Sequence, residues 1–433
     1  MASKDHSIMF PVDKLMPGLY VDIGLPWTDH PFLFKRFKIK TQQEVNIIQG
    51  LGLKEIKVFP ERSDGLIKKH DAQTVAAEPA DNSAAENASA SGASDHDKMW
   101  AQKQQRIDEA AQFRNRRLKV DREYQETIKR VKNLTRDLKT APANAIRDAG
   151  ELIETLTEAF GDDGDVLMNL VSLSDSEFSI YHHALNVTVL ALTLGAARGM
   201  QGEDLKELGI GAMLHDIGKI LVPGQILAKE GGELNPSEQA ILDSHPALGA
   251  KMAGRVGKLN DAIIEIIENH HEMLDGSGHP RQLREPDISS SAQMVTVANV
   301  YDNLCNPVNP NKAVTPKQAV ATLYAKYRGR IDETLIGRFI QTMGVYPPGT
   351  VVMLSDDSIG LVVAVDAKAL LKPQVLLYNP DIPKQEALMI DLNKRDDLNI
   401  VDVLKPTEYP KRIYDYLGIH ERIGYFNERS LKA

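Results

Sequence analysis

Cysteine is almost absent from this chain: Cys305 stands alone among 433 residues. A single thiol excludes an internal disulfide framework and fits a reducing compartment. Cys305 itself reads as a small buried hydrophobe rather than a nucleophile. No cationic segment followed by an apolar run opens the sequence, so no secretory leader is expected. A bilayer-length apolar run is missing as well, since the longest, Val187 to Ala197, is too short to cross hydrocarbon. The expected setting is therefore the cytoplasm, with no membrane span. Surplus positive charge is also lacking. A net charge of -9 argues against a nucleic-acid polymer as partner, because duplex binding needs cations that displace counterions. An anionic ligand must instead be gripped locally, by a metal or a few placed cations. No internal repeat is evident.

What is present is globular in composition, with 42% hydrophobic and 26% charged residues, and the chain exceeds the span of one core. Residues 7–65 read as a small α+β accessory module: strand-like LYVDI and KEIKVF flank a helix announced by a Thr41/Glu44 capping box and closed by Gly52. Residues 66–98 have the composition of a disordered linker. Residues 99–143 form one long amphipathic helix, with Tyr124, Ile128, Val131 and Leu138 near helical spacing. Such a helix suits homodimerisation or signal relay, and equally well packing on the next domain. Residues 144–345 read as nearly all helix, and 346–433 as a small β-rich extension. The fold class is thus mainly α, a central helical bundle between two small appendages.

The bundle holds seven of the 12 histidines, from His182 and His183 through His215, His245, His270 and His271 to His279. Neutral imidazoles ligate divalent cations, and an adjacent carboxylate such as Asp216 bridges two of them. Lys219, four residues after His215, falls one helical turn along the same face, placed to meet a phosphoryl oxygen. A two-metal site suits phosphodiester hydrolysis, because it activates water at neutral pH and neutralises the attacked and leaving oxygens. Each piece alone is weak: an HD dipeptide is common by chance, His182 reads better as a packing residue, and His245 before Pro246 competes with a structural cap. As a set they favour metal binding.

The order His183 with Asn186, HDIGK at 215–219, His245, HHEMLDGSGHP at 270–280 and VANVYDNL at 297–304 resembles the HD-GYP family of bacterial cyclic di-GMP phosphodiesterases, from about Ser174 to Met343. The ends resemble the accessory domain and short extension of some members. The resemblance implies an HD-type bundle in which His183, His215, Asp216, His245, His270 and His271 bind two divalent metals, iron or manganese. It implies catalytic parts for Asp216 and Lys219. The loop containing Asp275, Gly276, Gly278 and His279 would shape the entrance, contact the nucleotide and meet diguanylate cyclases. The implied reaction is hydrolysis of cyclic di-GMP to linear pGpG or on to GMP, in second-messenger signalling. Four departures stand out. Asn299 replaces a ligand aspartate, so one metal would be weak or lost; Asp302, further along, is not an obvious replacement. His279 replaces the tyrosine of GYP. The usual nucleotide arginine is missing, leaving Lys312 as nearest cation, and Ser179 replaces the glutamate of three-metal members. The alternative expectation is a degenerate receptor or signalling adaptor.

Overall fold

The computed structural model describes residues 6–26, 29–32, 34–64, 88–158, 167–173, 180–230, 232–366, 369–384, 387–405, 408–418 and 422–427. They form two compact units, one of residues 1–113 with 379–389, the other of 114–378 with 390–433.

In the first unit, β1 (Ile8–Pro11), β2 (Tyr20–Asp22), β3 (Arg36–Lys38) and β4 (Glu55–Val58) make an antiparallel sheet in the order β1-β4-β2-β3. Between β3 and β4 runs α1 (Gln42–Gly50), opened by the reciprocal Thr41/Glu44 capping box that the sequence announces. Apolar residues alternate along β4 and recur along α1, so Ile56, Val58, Val45 and Ile48 meet Leu19 and Val21 in one core.

The long helix α2 (Ala88–Thr140) begins well before the expected start at 99. Residues 88–98 are therefore helical rather than linker; the remainder of the expected linker lies outside the described residues. Alanine and serine here have no proline to stop a helix growing backward from the charged segment. Tyr124, Ile128, Val131, Leu134 and Leu138 are buried, the stripe read from their spacing.

The second unit continues with α3 (Pro142–Glu158), β5 (Leu167–Leu173), α4 (Ile180–Ala197), α5 (Gly202–Leu214), α6 (Gly224–Leu227), α7 (Pro236–Asp243), α8 (His245–Val256), α9 (Asp261–Asn269), α10 (Ser290–Cys305), α11 (Pro316–Tyr327) and α12 (Glu333–Met343). Among the described residues α4 is the one helix long and apolar enough to cross a bilayer by composition. It is buried nearly all round, as a bundle's central helix is. Close approach is built in: a Cβ at Gly209 would stand 2.6 Å from Ile153 and one at Gly211 2.7 Å from Ile266.

The chain then turns to β6 (Val351–Leu354), β7 (Ile359–Asp366), β8 (Gln374–Leu377), β9 (Met389–Asp391), β10 (Ile400–Val403), α13 (Lys411–Leu417) and β11 (Arg422–Asn427). The β-rich extension expected after residue 345 is present, with one correction. Its sheet runs β10-β6-β7-β5-β11, with β8 on β7, so the helical stretch lends it a strand. That strand, LMNLVSL, lies in a stretch read as helix; its apolar residues give no helical stripe, and its neighbours, β7 and β11, lie about 200 and 250 residues downstream.

Candidate metal centre

Four imidazoles and a carboxylate converge among α4, α5, α8 and α9. His183 lies in the first turn of α4, His215 caps the end of α5, His245 opens α8 directly after α7, and His270 caps α9. The last carbonyls of a helix have no donor of their own, and three of these histidines use them. Nδ1 of His215 donates to the Ala212 carbonyl at 2.7 Å, that of His245 to Leu242 at 2.7 Å, and that of His270 to Ile267 at 2.8 Å. His183 donates its Nδ1 proton to Asp302 Oδ2 at 2.6 Å. With Nδ1 committed in all four rings, Nε2 of each neutral ring is left as a bare lone pair.

Those lone pairs face one another. His183 Nε2 lies 3.3 Å from His215 Nε2, and His245 Nε2 lies 3.3 Å from His270 Nε2. Asp216 stands between the pairs. Its Oδ1 is 3.1 Å from His245 Nε2 and 3.8 Å from His270 Nε2, and its Oδ2 is 3.5 Å from His215 Nε2 and 3.7 Å from His183 Nε2. Asp216 Oδ1 is buried without a hydrogen-bond donor, so the contact with His245 sets acceptor against acceptor. Buried acceptors in this arrangement repel unless a cation lies among them. The donors form two groups, one of Asp216, His245, His270 and His271, the other of His183, His215 and Asp216, with ligand atoms within 4.8 Å of one another in each. Asp216 belongs to both. Imidazole with carboxylate is a donor set for borderline divalent cations, so the residues fit such an ion.

Burial favours the neutral form in three of the imidazoles. Burial pushes the His215 imidazole down to about 4, and burial together with neighbouring rings holds His270 and His271 well below the usual imidazole range. Burial acts likewise on His183, but the Asp302 and Asp216 carboxylates outweigh it and raise that ring. Burial opposes ionisation of Asp216, yet Lys219 and the nearby imidazoles hold its carboxyl well below the usual carboxylate range.

Lys219 reaches Asp216 by a route other than the expected helical turn. α5 ends at Leu214, and Ile217–Leu221 is a 3-10 turn. From that turn the Lys219 ammonium spans Asp216 Oδ2 at 3.1 Å and Glu230 Oε1 at 2.8 Å. Burial would lower its pKa, but the two carboxylates raise it. The turn depends on Gly218, where a Cβ would stand 1.8 Å from the His245 carbonyl oxygen and 2.6 Å from Gly249 N.

The remaining candidates divide. His279 stacks on His271, ring centroids 4.6 Å apart, and so adjoins the centre. Asp275 is exposed, and its carboxylate accepts from Ser277 N at 2.9 Å and Ser277 Oγ at 2.6 Å, shaping its own loop. Gly276 takes φ +78°, and a Cβ at Gly278 would lie 2.6 Å from the His271 carbonyl oxygen, so both glycines are required by the loop's path. Asn299 is buried on α10 with its Oδ1 accepting from Asn303 Nδ2 at 2.7 Å. Lys312 is exposed at the end of the turn Pro310–Lys312 and belongs to neither donor group. His182 packs at 6.0 Å from the Tyr124 ring, and Ser179 lies outside the described residues. Sequence reasoning missed Glu230 and also Glu272, whose Oε1 and Oε2 accept from Arg281 N at 2.5 Å and Leu283 N at 2.9 Å and pin the loop beside the centre. It gave Asp302 no role, whereas that carboxylate orients His183.

Fold and centre together define a helical domain built around a histidine-aspartate cluster that fits a divalent cation. Residues 165–335 match the family described as HD domain, residues 7–149 a domain of unknown function, DUF3391, and residues 351–412 a KOW domain associated with HD domains. A cyclic di-GMP phosphodiesterase of Pseudomonas aeruginosa is 27% identical over 414 residues, covering 92% of either chain. The cyclic di-GMP phosphodiesterase response regulator RpfG of Xanthomonas campestris is 35% identical over 147 residues, 32% of this chain and 38% of its own. Over 123 residues, 28% of this chain and 23% of its own, a 3'3'-cGAMP-specific phosphodiesterase of Vibrio cholerae is 32% identical. Among solved structures, an HDGYP protein of Bdellovibrio bacteriovorus aligns over 77% of this chain and 98% of its own at 17% identity, with a TM-score of 0.42. The chain carries an HD domain, with the DUF3391 domain preceding it.

Proposed function

We propose that this protein hydrolyses a cyclic dinucleotide, cyclic di-GMP foremost, in the bacterial cytoplasm, with two divalent cations, iron or manganese. The observation that carries the reading is the set of four bare Nε2 atoms and an undonated Asp216 oxygen turned on one another. His183, His215 and Asp216 would hold one cation, and Asp216, His245, His270 and His271 the other. When bound, such cations supply Lewis-acid charge stabilisation and water acidified toward neutral pH. The chain's own contribution is positional: Asp216 ties the two groups together, the carbonyl-anchored imidazoles cost no reorganisation, and Lys219 offers an ammonium to a phosphoryl oxygen. The P. aeruginosa relative, alike over most of both chains, supports cyclic di-GMP as substrate.

The test is metal analysis and hydrolysis on one anaerobic preparation, with cyclic di-GMP, 3'3'-cGAMP and cyclic di-AMP as substrates. Linear dinucleotide or mononucleotide released from cyclic di-GMP in proportion to bound metal is expected. Full metal content without cleavage of any of the three would instead favour a receptor, the reading that Asn299, with its oxygen already bonded to Asn303, supports.

Glu230 gives a finer prediction. Its carboxylate competes with the phosphodiester for Lys219. Glu230→Gln is expected to lower KM by about threefold to tenfold, a 0.7–1.4 kcal/mol gain for a partly exposed charge, with kcat nearly unchanged. A KM that stays the same or rises would show that Lys219 does not face the substrate phosphate.

A further inference from the structure

Behind His183 lies a chain of buried polar groups that the reaction does not require. Asp302 Oδ2 accepts the His183 Nδ1 proton at 2.6 Å, while its Oδ1 accepts from Asn186 Nδ2 and from Asn306 Nδ2, both at 2.8 Å. Asn186 in turn has its Oδ1 turned to two donors, the Tyr124 hydroxyl at 3.3 Å and the Tyr425 backbone N–H at 3.3 Å. Tyr124, Asn186 and Asp302 are each 0% exposed. They come from α2, α4 and α10, and Tyr425 from β11.

The amide of Asn186 can sit only one way round. Reversed, its NH2 would meet the Tyr425 N–H and its carbonyl the Asp302 carboxylate, leaving buried groups unpaired at about 1–3 kcal/mol each. The β11 N–H and Asp302 therefore fix which way round the amide sits, the Tyr124 hydroxyl anchors its oxygen from α2, and the second Asp302 oxygen fixes the tilt of the His183 ring. A carboxylate behind a ligating histidine sets both its tautomer and its direction. Here that carboxylate is itself steered from α2, the helix that begins at Ala88.

We propose that Tyr124 and Asn186 are positioning residues for His183, acting through Asp302, so that the placement of α2 sets how tightly the His183, His215 and Asp216 group holds its cation. This rests on the metal reading above. A helix carrying a tyrosine into such a chain gives the centre a mechanical input that touches neither metal nor substrate.

The test uses the full-length protein and manganese, titrated with a chelator while bound metal is measured. Tyr124→Phe keeps the ring and removes only the hydroxyl. It is expected to release one manganese, not both, at a free-metal concentration about threefold to tenfold higher than wild type, with kcat reduced and KM unchanged. Asp302→Asn, two hydrogen bonds closer to His183, is expected to show the same selective loss at about 10–100-fold. Thermal unfolding of the metal-free proteins separates this from general loosening, since Tyr124→Phe is expected to stay within a few degrees of wild type. Wild-type manganese retention in Tyr124→Phe, or equal weakening of both cations, would overturn the relay. A wild-type protein that takes up no manganese would overturn the metal reading itself, and the relay with it.

Discussion

Asp216→Ala is expected to remove hydrolysis by at least about 10³-fold, a loss of ~4 kcal/mol in transition-state stabilisation, and to leave the purified protein with less than one bound cation. The size of the effect follows from where the carboxylate stands. Every other candidate donor belongs to one group, whereas Asp216 belongs to both. It also holds Lys219 at 3.1 Å, so its loss frees the ammonium that is to meet the phosphate. Without the anion, five imidazoles remain in the two groups, two pairs of them with nitrogens at 3.3 Å, and no carboxylate of those groups offsets the charge of two cations. Metal content by elemental analysis and initial rates on cyclic di-GMP check the prediction together. A variant that keeps both cations and half its rate would remove Asp216 from the centre.

Gly218→Ala is expected to do comparable damage through shape alone. A methyl group cannot occupy the space 1.8 Å from the His245 carbonyl oxygen, and both obstacles are backbone, so α8 must retreat. Retreat moves His245 away from Asp216, now 3.1 Å distant. The stability loss should reach or pass the upper end of the ~1–3 kcal/mol typical of overpacking, with metal lost from the His245 group first. Gly254→Ala is the control: on the same helix, its added Cβ would find nothing closer than Ile264 at 4.0 Å, and replacing an exposed helical glycine should stabilise by up to about 1 kcal/mol. Thermal unfolding of both variants decides the matter, and a Gly218→Ala protein as stable as wild type would refute the close approach.

Much of this centre was legible because its chemistry needs particular residue types. HDIGK, HHE and the isolated His245 announce imidazoles near a carboxylate, and the structure gathers them. Hidden in the sequence was what holds them. The carbonyls of Ala212, Leu242 and Ile267 are acceptors because helices end there, and any residue type would supply one. Glu230 lies 11 positions from Lys219 in a glycine-rich stretch with no periodicity to place it. Asp302 is 119 residues from His183, so nothing local tied it to that ring; in the fold it orients an imidazole while Asn299, on the same helix, bonds Asn303. The capping box at Thr41 was readable because a cap is a local event. β5 was not, because a strand is defined by partners elsewhere.

That strand bears on how the protein can be divided. β5 pairs with β7 on one side and β11 on the other, and Tyr425 from β11 enters the bundle core, its hydroxyl 3.1 Å from that of Tyr301. A polypeptide trimmed after Met343 would strip β5 of both neighbours and withdraw a donor from Asn186. Excising the histidine-bearing segment as a minimal catalytic fragment would therefore yield an exposed, adhesive edge. The tail is a late-arriving piece of the same folding unit, so the bundle is complete only when the last strand has been synthesised.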